Sequence, residues 1–178
     1  MPFKYYGGVH PDYAKTASKT PVRTISPPPV VVLPMIQQIG APNKPVVKVG
    51  DTVKMGQLIG SNDAPVSAPV HSSVSGKVIA VEPRRHMLGD MVMSVVIEND
   101  FQDTPCEDMK PLSEEQLKDP DAIIARIREA GVVGMGGAMF PTAFKIQGAR
   151  GKVDTVIING AECEPYLCGD HRTMLEHP

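Results

Sequence analysis

The chain has 178 residues, of which 42% are hydrophobic, 21% charged and 4% aromatic, enough apolar matter for one ordinary domain or two small ones. The formal net charge of −2 and the lack of a Lys/Arg run argue against a nucleic-acid footprint, and no apolar stretch nears the roughly 18 residues of a membrane-crossing helix. Three cysteines (Cys106, Cys163, Cys168) are too sparse for a disulfide framework, and the five histidines show no metal-ligand spacing.

In chain order, the N-terminal MPFKYYGGVHP has no apolar signal-peptide core, so the expectation is a soluble, cytoplasmic chain with no direct membrane span. Any membrane association would run through a partner. Residues 1–100 then read as all-β. Runs rich in Val and Ile predict strands at Val30–Leu33, Pro45–Val49, Gln57–Ile59, Gly76–Val81 and Met93–Ile97. Turns fall at Gly50-Asp51, Ser61-Asn62-Asp63, Ser75-Gly76 and Leu88-Gly89-Asp90. Closely spaced strands without helices predict a small sandwich or barrel. Within it, VKVGDTVKMGQLIG (residues 47–60) and APVHSSVSGKVIAVE (residues 68–82) resemble the biotinyl/lipoyl-domain pattern, with Val53 and Leu58 facing the core. The hairpin that carries the modified lysine in such carriers is here Ser61–Val66, and it has no lysine. No swinging arm can be attached there, so the likeness is one of fold and not of chemistry. The basic pair Arg84-Arg85 reads as a solvated loop more readily than as a binding patch.

Residues 101–120 are polar and acidic with three prolines, the composition of a linker. Ser113 and Gln116 have the spacing of a capping box for a short turn. From Asp121 the period changes: Ile123, Ile124, Ile127 and Ala130 share one helical face, and Gly131 sits where a helix C-cap belongs. A glycine-rich loop follows, then a short helix from Pro141, a strand Val153–Ile158, and a brief final helix at Thr173–Glu176 capped by Asp170. One helix–strand–helix passage cannot close an α/β core by itself, so residues 121–178 read as a truncated piece of a larger domain.

Two segments carry candidate chemistry. In GVVGMGGAMFPTAFK (residues 131–145), Gly134, Gly136 and Gly137 allow a backbone that crowds a ligand with its amides turned inward. The helix start behind them and Lys145 complete a site suited to a phosphate monoester. The match to the dinucleotide fingerprint is poor, because Met139 holds its third position and the loop follows a helix. On spacing alone, a flexible interhelical loop with a surface lysine fits equally well. In INGAECEPYLCGDHRTMLE (residues 158–176), Asn159 offers a two-sided amide for the edge of a heterocycle. Taken alone, Glu162 and Glu164 are more often a solvated pair, and Cys163 an inert small residue.

The combination GMGGAMFPTAFK with VIINGAECEPYLCGDHRTML resembles the flavin-binding domain shared by the C subunit of Rnf electron-transport complexes and the flavin subunit of respiratory complex I. GGVHP (Gly7–Pro11), QIGAPNKPVVKVGDTVKMGQ and SAPVHSSVSGKV resemble the Rnf C subunit specifically, so the likeness covers nearly the whole chain. It implies an α+β protein: a barrel-sandwich hybrid over residues 1–100, a linker over 101–120, and the start of an α/β FMN- and NADH-binding domain over 121–178. It implies FMN held by Gly134, Gly136, Gly137, Ala138 and Lys145, with Asn159 beside the flavin and Glu162 and Glu164 near the NADH site. Met135 and Ala161 stand where the complex I branch has Arg and Asp, and Met139 replaces a common Gly. The implied function is electron input to a membrane-associated, ion-translocating NADH:ferredoxin oxidoreductase on the cytoplasmic face of the inner membrane. Electrons pass from NADH to FMN and then to two 4Fe-4S clusters held by cysteine runs further along family members. No such run occurs here, so the expectations are no metal ligands or catalytic side chain, no tightly bound cofactor and no activity in this piece alone. The implied partners are the other Rnf subunits and, indirectly, ferredoxin. The alternatives are a flavin/iron–sulfur cobalamin reductase, which shares the glycine loop, and a non-catalytic docking module in residues 1–100.

Overall fold

The computed structural model describes residues 8, 11–12, 14–135 and 137–177; Gly136 of the glycine-rich loop and Gly7, Val9 and His10 of the GGVHP motif lie outside the described residues. The chain forms two compact units. One is Pro27–Val153, and the other joins the described residues before Pro27 to those after Val153.

The larger unit is built on seven strands: β1 (Val30–Pro34), β2 (Lys44–Pro45), β3 (Thr52–Val53), β4 (Leu58–Ser61), β5 (Val70–His71), β6 (Gly76–Arg85) and β7 (Met91–Asn99). They form a four-stranded sheet in the order β1-β7-β6-β3 and a three-stranded sheet in the order β2-β4-β5, antiparallel throughout. The predicted turn at Leu88-Gly89-Asp90 closes the β6–β7 hairpin, with His86 N–H donating to the Asp90 carbonyl at 2.8 Å and Gly89 N–H to the His86 carbonyl at 2.9 Å. Both sheets feed one core: Val53, Val78, Val95 and Ile97 come from the larger, Ile59 and Val70 from the smaller, joined by Met35 and Val74. This is the barrel-sandwich hybrid that the strand spacing and the lipoyl-like pattern lead one to expect.

The sequence misjudges three details. Val53 faces the core as expected, but Leu58 is 41% exposed while Ile59 is fully buried. The β4–β5 register shifts between Leu58 and Gly60, and a one-residue slip exchanges the faces of a strand. The strand expected over Pro45–Val49 shrinks to Lys44–Pro45, with Val46 and Val49 left at the surface. The strands β3 and β5, of two residues each, are too short for periodicity to reveal.

Residues 104–109 run along the barrel. Met55 N–H donates to the Thr104 carbonyl at 2.9 Å, Cys106 N–H to the Met55 carbonyl at 2.8 Å, and Lys54 pairs with Glu107 at 2.7 Å. The Ser113–Gln116 box forms in both directions: Gln116 N–H donates to Ser113 Oγ at 3.2 Å and Ser113 N–H to Gln116 Oε1 at 3.0 Å. Helix α1 (Pro120–Glu129) follows, with Pro120 in its first turn and Asp119 capping by accepting from Asp121 N–H at 3.0 Å. Ile124 is its buried residue, while Ala130, expected on the same face, is exposed. Helix α2 is Thr142–Ala149, so Pro141 is its N-cap and not its first residue. The two helices pack together and are tied by Arg128 to Gln147 at 3.3 Å and by an Arg150–Asp121 ion pair.

The expected strand Val153–Ile158, which starts at the last residue of the larger unit and runs into the smaller, is absent: these residues carry no strand pairing and are exposed throughout. An extended apolar run becomes a strand only when neighbours take up its N–H and C=O groups, and no described residue does so here. The final helix, α3, is Gly169–Glu176, longer than expected, with Cys168 at its N-cap and Asp170 within its first turn.

Candidate functional site: a glycine-rich turn anchored to the barrel

The site begins where α1 ends. Val132 N–H reaches back to the Ile127 carbonyl at 3.2 Å and Gly131 N–H to the Arg128 carbonyl at 3.0 Å, the pair of bonds of a Schellman cap. Gly131 takes φ +67°, and a Cβ on it would lie 2.4 Å from the Pro69 carbonyl oxygen. Glycine is thus required twice, for the left-handed turn and for the close approach of the loop to the barrel. The sequence shows the first requirement; the second is a tertiary contact that it cannot show.

Beyond Gly131 the chain forms a narrow loop. Thr142 N–H donates to the Val132 carbonyl at 3.0 Å, Gly134 N–H donates to the Phe140 carbonyl at 3.0 Å, and Val133 and Pro141 form a bridge between the two arms. Met135 and residues 137–139 lie at the tip. Gly137 has φ +58° in open space, and Met139 has φ +50°. Left-handed residues at 137 and 139 turn backbone amides out of a regular ladder, as in anion-binding nests. The non-glycine one stores strain of about 1 kcal/mol.

Lys145, on the first turns of α2, reaches back to this loop. Its Nζ lies 3.8 Å from where a Cβ on Gly134 would be. The lysine is exposed and makes no ion pair among the described residues. Phe140 and Phe144 stack edge to face at 5.7 Å, with Pro141 and Ala143 buried beside them, so the loop's return arm packs against the helix. The Gly134 amide already has a carbonyl partner, so this residue contributes an uncrowded backbone and not a donor.

The remaining candidates lie in the smaller unit. Asn159 Oδ1 accepts from Ala161 N–H at 2.9 Å in an Asx turn, leaving its amide NH2 as the available donor. Glu162 accepts from His171 N–H at 3.1 Å and so caps the first turn of α3. Glu164 is exposed, and its carbonyl accepts from Leu167 N–H at 3.2 Å. The structure therefore brings Gly134, Gly137, Ala138 and Lys145 together in one unit and Asn159, Glu162 and Glu164 in the other. The cysteines are free thiols: Cys106 is half-buried, Cys163 exposed and Cys168 buried.

A cleft of about 430 Å³ lies between the loop and the barrel. Gly134, Met135 and Met139 line it together with Arg85, His86 and Met87 of the β6–β7 hairpin. Nothing in the local pattern around Arg85 signals this, because the neighbour lies some fifty residues away in sequence.

Residues 3–102 match the family model described as the RnfC barrel sandwich hybrid domain, and residues 127–178 match the Nuo51 FMN-binding domain. The C subunit of the Na(+)-translocating ferredoxin:NAD(+) oxidoreductase complex of Acetobacterium woodii is 51% identical over 172 residues, covering 96% of this chain and 39% of that protein. The C subunit of the proton-translocating ferredoxin:NAD(+) oxidoreductase complex of Clostridium ljungdahlii is 45% identical over 97% of this chain and 38% of its own length. The C subunit of the ion-translocating oxidoreductase complex of Serratia proteamaculans is 40% identical over 96% of this chain and 24% of its own. The chain thus spans between a quarter and two fifths of the length of these relatives. The turn with positive φ at 137 and 139, beside an ammonium without a carboxylate partner among the described residues, suits the phosphate end of an FMN. With its barrel matched over residues 3–102, the chain belongs to the RnfC family.

Proposed function

We propose that this chain contributes the electron-input end of an Rnf-type NADH:ferredoxin oxidoreductase, and that its glycine-rich turn holds the phosphate of FMN. The observation that carries the reading is the Lys145 ammonium set against the Gly134 backbone, within the segment that matches the FMN-binding domain. In this reading the barrel of residues 1–100 and the segment 101–120 precede an FMN- and NADH-binding region that starts at about residue 121. Gly134, Gly136, Gly137 and Ala138 admit the phosphate to the backbone, and Lys145 neutralises it. The Asn159 amide donates to the ring edge, while Glu162 and Glu164 border the place where NADH approaches.

Bound FMN supplies the conversion of a two-electron hydride donor into single electrons for two 4Fe-4S clusters of the full-length protein. The residues of this chain bind and orient, and none of them acts as nucleophile or proton carrier in this reading. Among the described residues no helix is long and apolar enough to cross a membrane. In this reading the chain sits peripherally on the cytoplasmic face, against the other Rnf subunits. The match of the barrel to the RnfC family favours this function over a cobalamin reductase.

The test uses the assembled complex carrying this chain, stripped of flavin and titrated with FMN and with riboflavin, which lacks the phosphate. FMN is expected to bind the more tightly, and Lys145→Gln to lower its affinity about tenfold while leaving riboflavin nearly unchanged. Equal binding of the two flavins, indifferent to Lys145→Gln, would defeat the assignment.

A further inference from the structure

The sequence presents Arg84-Arg85 as an isolated basic pair, but the fold gives the two residues different surroundings. Arg84 pairs with Glu82 at 2.7 Å on the outer surface of the hairpin. Arg85, the last residue of β6, makes no ion pair among the described residues. It lines the cleft of about 430 Å³ whose other wall is the glycine-rich turn. Both walls belong to one compact unit, and the turn is pressed onto the barrel at Gly131 against the Pro69 carbonyl. The arrangement is therefore built into the fold and does not depend on a chance approach of a mobile loop.

The chemistry of the cleft is specific. Its lining is mostly apolar, with Met87, Met135 and Met139 beside Val32 and Pro34 of β1. Methionines give polarisable, adaptable walls to the faces of a flat ring. Polar groups interrupt that apolar character: the side chains of Gln37 and His86, the left-handed backbone at Met139, and the Arg85 guanidinium, which has no carboxylate partner among the described residues. A guanidinium offers a planar fork of donors that matches two phosphate oxygens at once, which an ammonium cannot do. A mostly apolar cleft with such a fork in its lining suits a phosphorylated planar heterocycle.

We propose that Arg85 is a binding residue of the glycine-turn site, pairing with the phosphate of the ligand held there. Two elements then supply the cations: α2 through Lys145 and the barrel hairpin through Arg85. This rests on the reading of the turn as the FMN phosphate site and deepens it. The barrel becomes one wall of the cofactor site, so that its presence governs flavin affinity.

The experiment titrates the flavin-stripped assembled complex with FMN and riboflavin, following flavin fluorescence, for the parent and for Arg85→Gln, Arg84→Gln and Lys145→Gln. Thermal melting of each variant confirms that the fold is intact. Arg85→Gln is expected to weaken FMN about tenfold and riboflavin less than about twofold, with Arg84→Gln altering neither. A loss of FMN affinity in Lys145→Gln but not in Arg85→Gln overturns this inference and leaves the turn's assignment standing. No loss in either variant overturns both. An equal loss of FMN and riboflavin in Arg85→Gln overturns the phosphate pairing.

Discussion

The barrel and the stretch after Val153 hold comparable apolar residues on opposite terms. In the barrel, Val53, Val78, Val95 and Ile97 lose all contact with solvent, each behind a ladder that satisfies its backbone. In the smaller unit, Val156, Ile157 and Ile158 remain at least 80% exposed, and Cys168 is its one buried apolar residue among the described ones. What holds that unit is polar. Lys15 Nζ donates to the Leu167 carbonyl at 2.7 Å, Arg172 Nη1 to the Ser18 carbonyl at 3.2 Å, and Val22 N–H to the Glu176 carboxylate at 3.1 and 3.2 Å. Hydrophobic character in a sequence becomes stability only where strands or helices converge to bury it, at about 1.5–3 kcal/mol per fully buried Val or Ile side chain.

The sharpest way to break this comparison is to make one substitution in both places. Ile97→Ala removes a fully buried side chain and should cost the larger unit about 3 kcal/mol. Ile157→Ala removes a side chain that is 86% exposed and should change stability by less than about 0.5 kcal/mol. Urea denaturation followed by circular dichroism measures both; similar costs would mean that the apolar run after Val153 is buried in solution. A smaller loss is expected for Gly131→Ala, which places a Cβ at φ +67° against the Pro69 carbonyl. The conformational penalty alone is about 1–2 kcal/mol. The clash should in addition lift the turn off the barrel, so that amide hydrogen exchange rises through residues 132–142. Unchanged exchange there would show that the turn and barrel are not mechanically joined.

The same contrast marks what could be read from the sequence. The Val/Ile runs of β1, β6 and β7 were legible because each alternates or clusters around a core-facing residue, as Val78 and Ile97 do. So were α1, with its isoleucine face and C-terminal glycine, and the reciprocal Ser113–Gln116 cap, because their partners lie within four residues. Leu58 was assigned to the core, where Ile59 in fact sits, because a register irregularity has no sequence signature. The supposed strand at Val153–Ile158 failed for a different reason: composition records a side chain's preference for burial but not whether a pairing edge is at hand. At the site, the glycine spacing and Lys145 were local and visible. The neighbours that shape the turn, Pro69 behind it and Arg85 across the cleft, come from the barrel, and only folding brings them there.

The smallest effect sharpens the polar half of the comparison. Glu176 accepts from Arg172 Nε at 2.8 Å, and the same carboxylate takes the Val22 amide. The Arg172 hydrogen bond first, and the Val22 amide second, hold its carboxyl below the usual glutamate range. A depressed carboxyl pKa adds stability above the ordinary glutamate value and loses it as pH falls through the lowered one. The smaller unit should therefore loosen at the acid end, at a pH below that at which an ordinary glutamate titrates, while the barrel keeps its fold. The Val22 amide resonance reads this directly: it should move with a midpoint below the ordinary glutamate pKa of about 4.3. In Glu176→Gln that movement should vanish, because the amide retains an acceptor for Val22 but carries no charge to titrate. A Val22 midpoint at the ordinary value would mean that Arg172 does not hold Glu176 in solution, and that the smaller unit depends on other contacts.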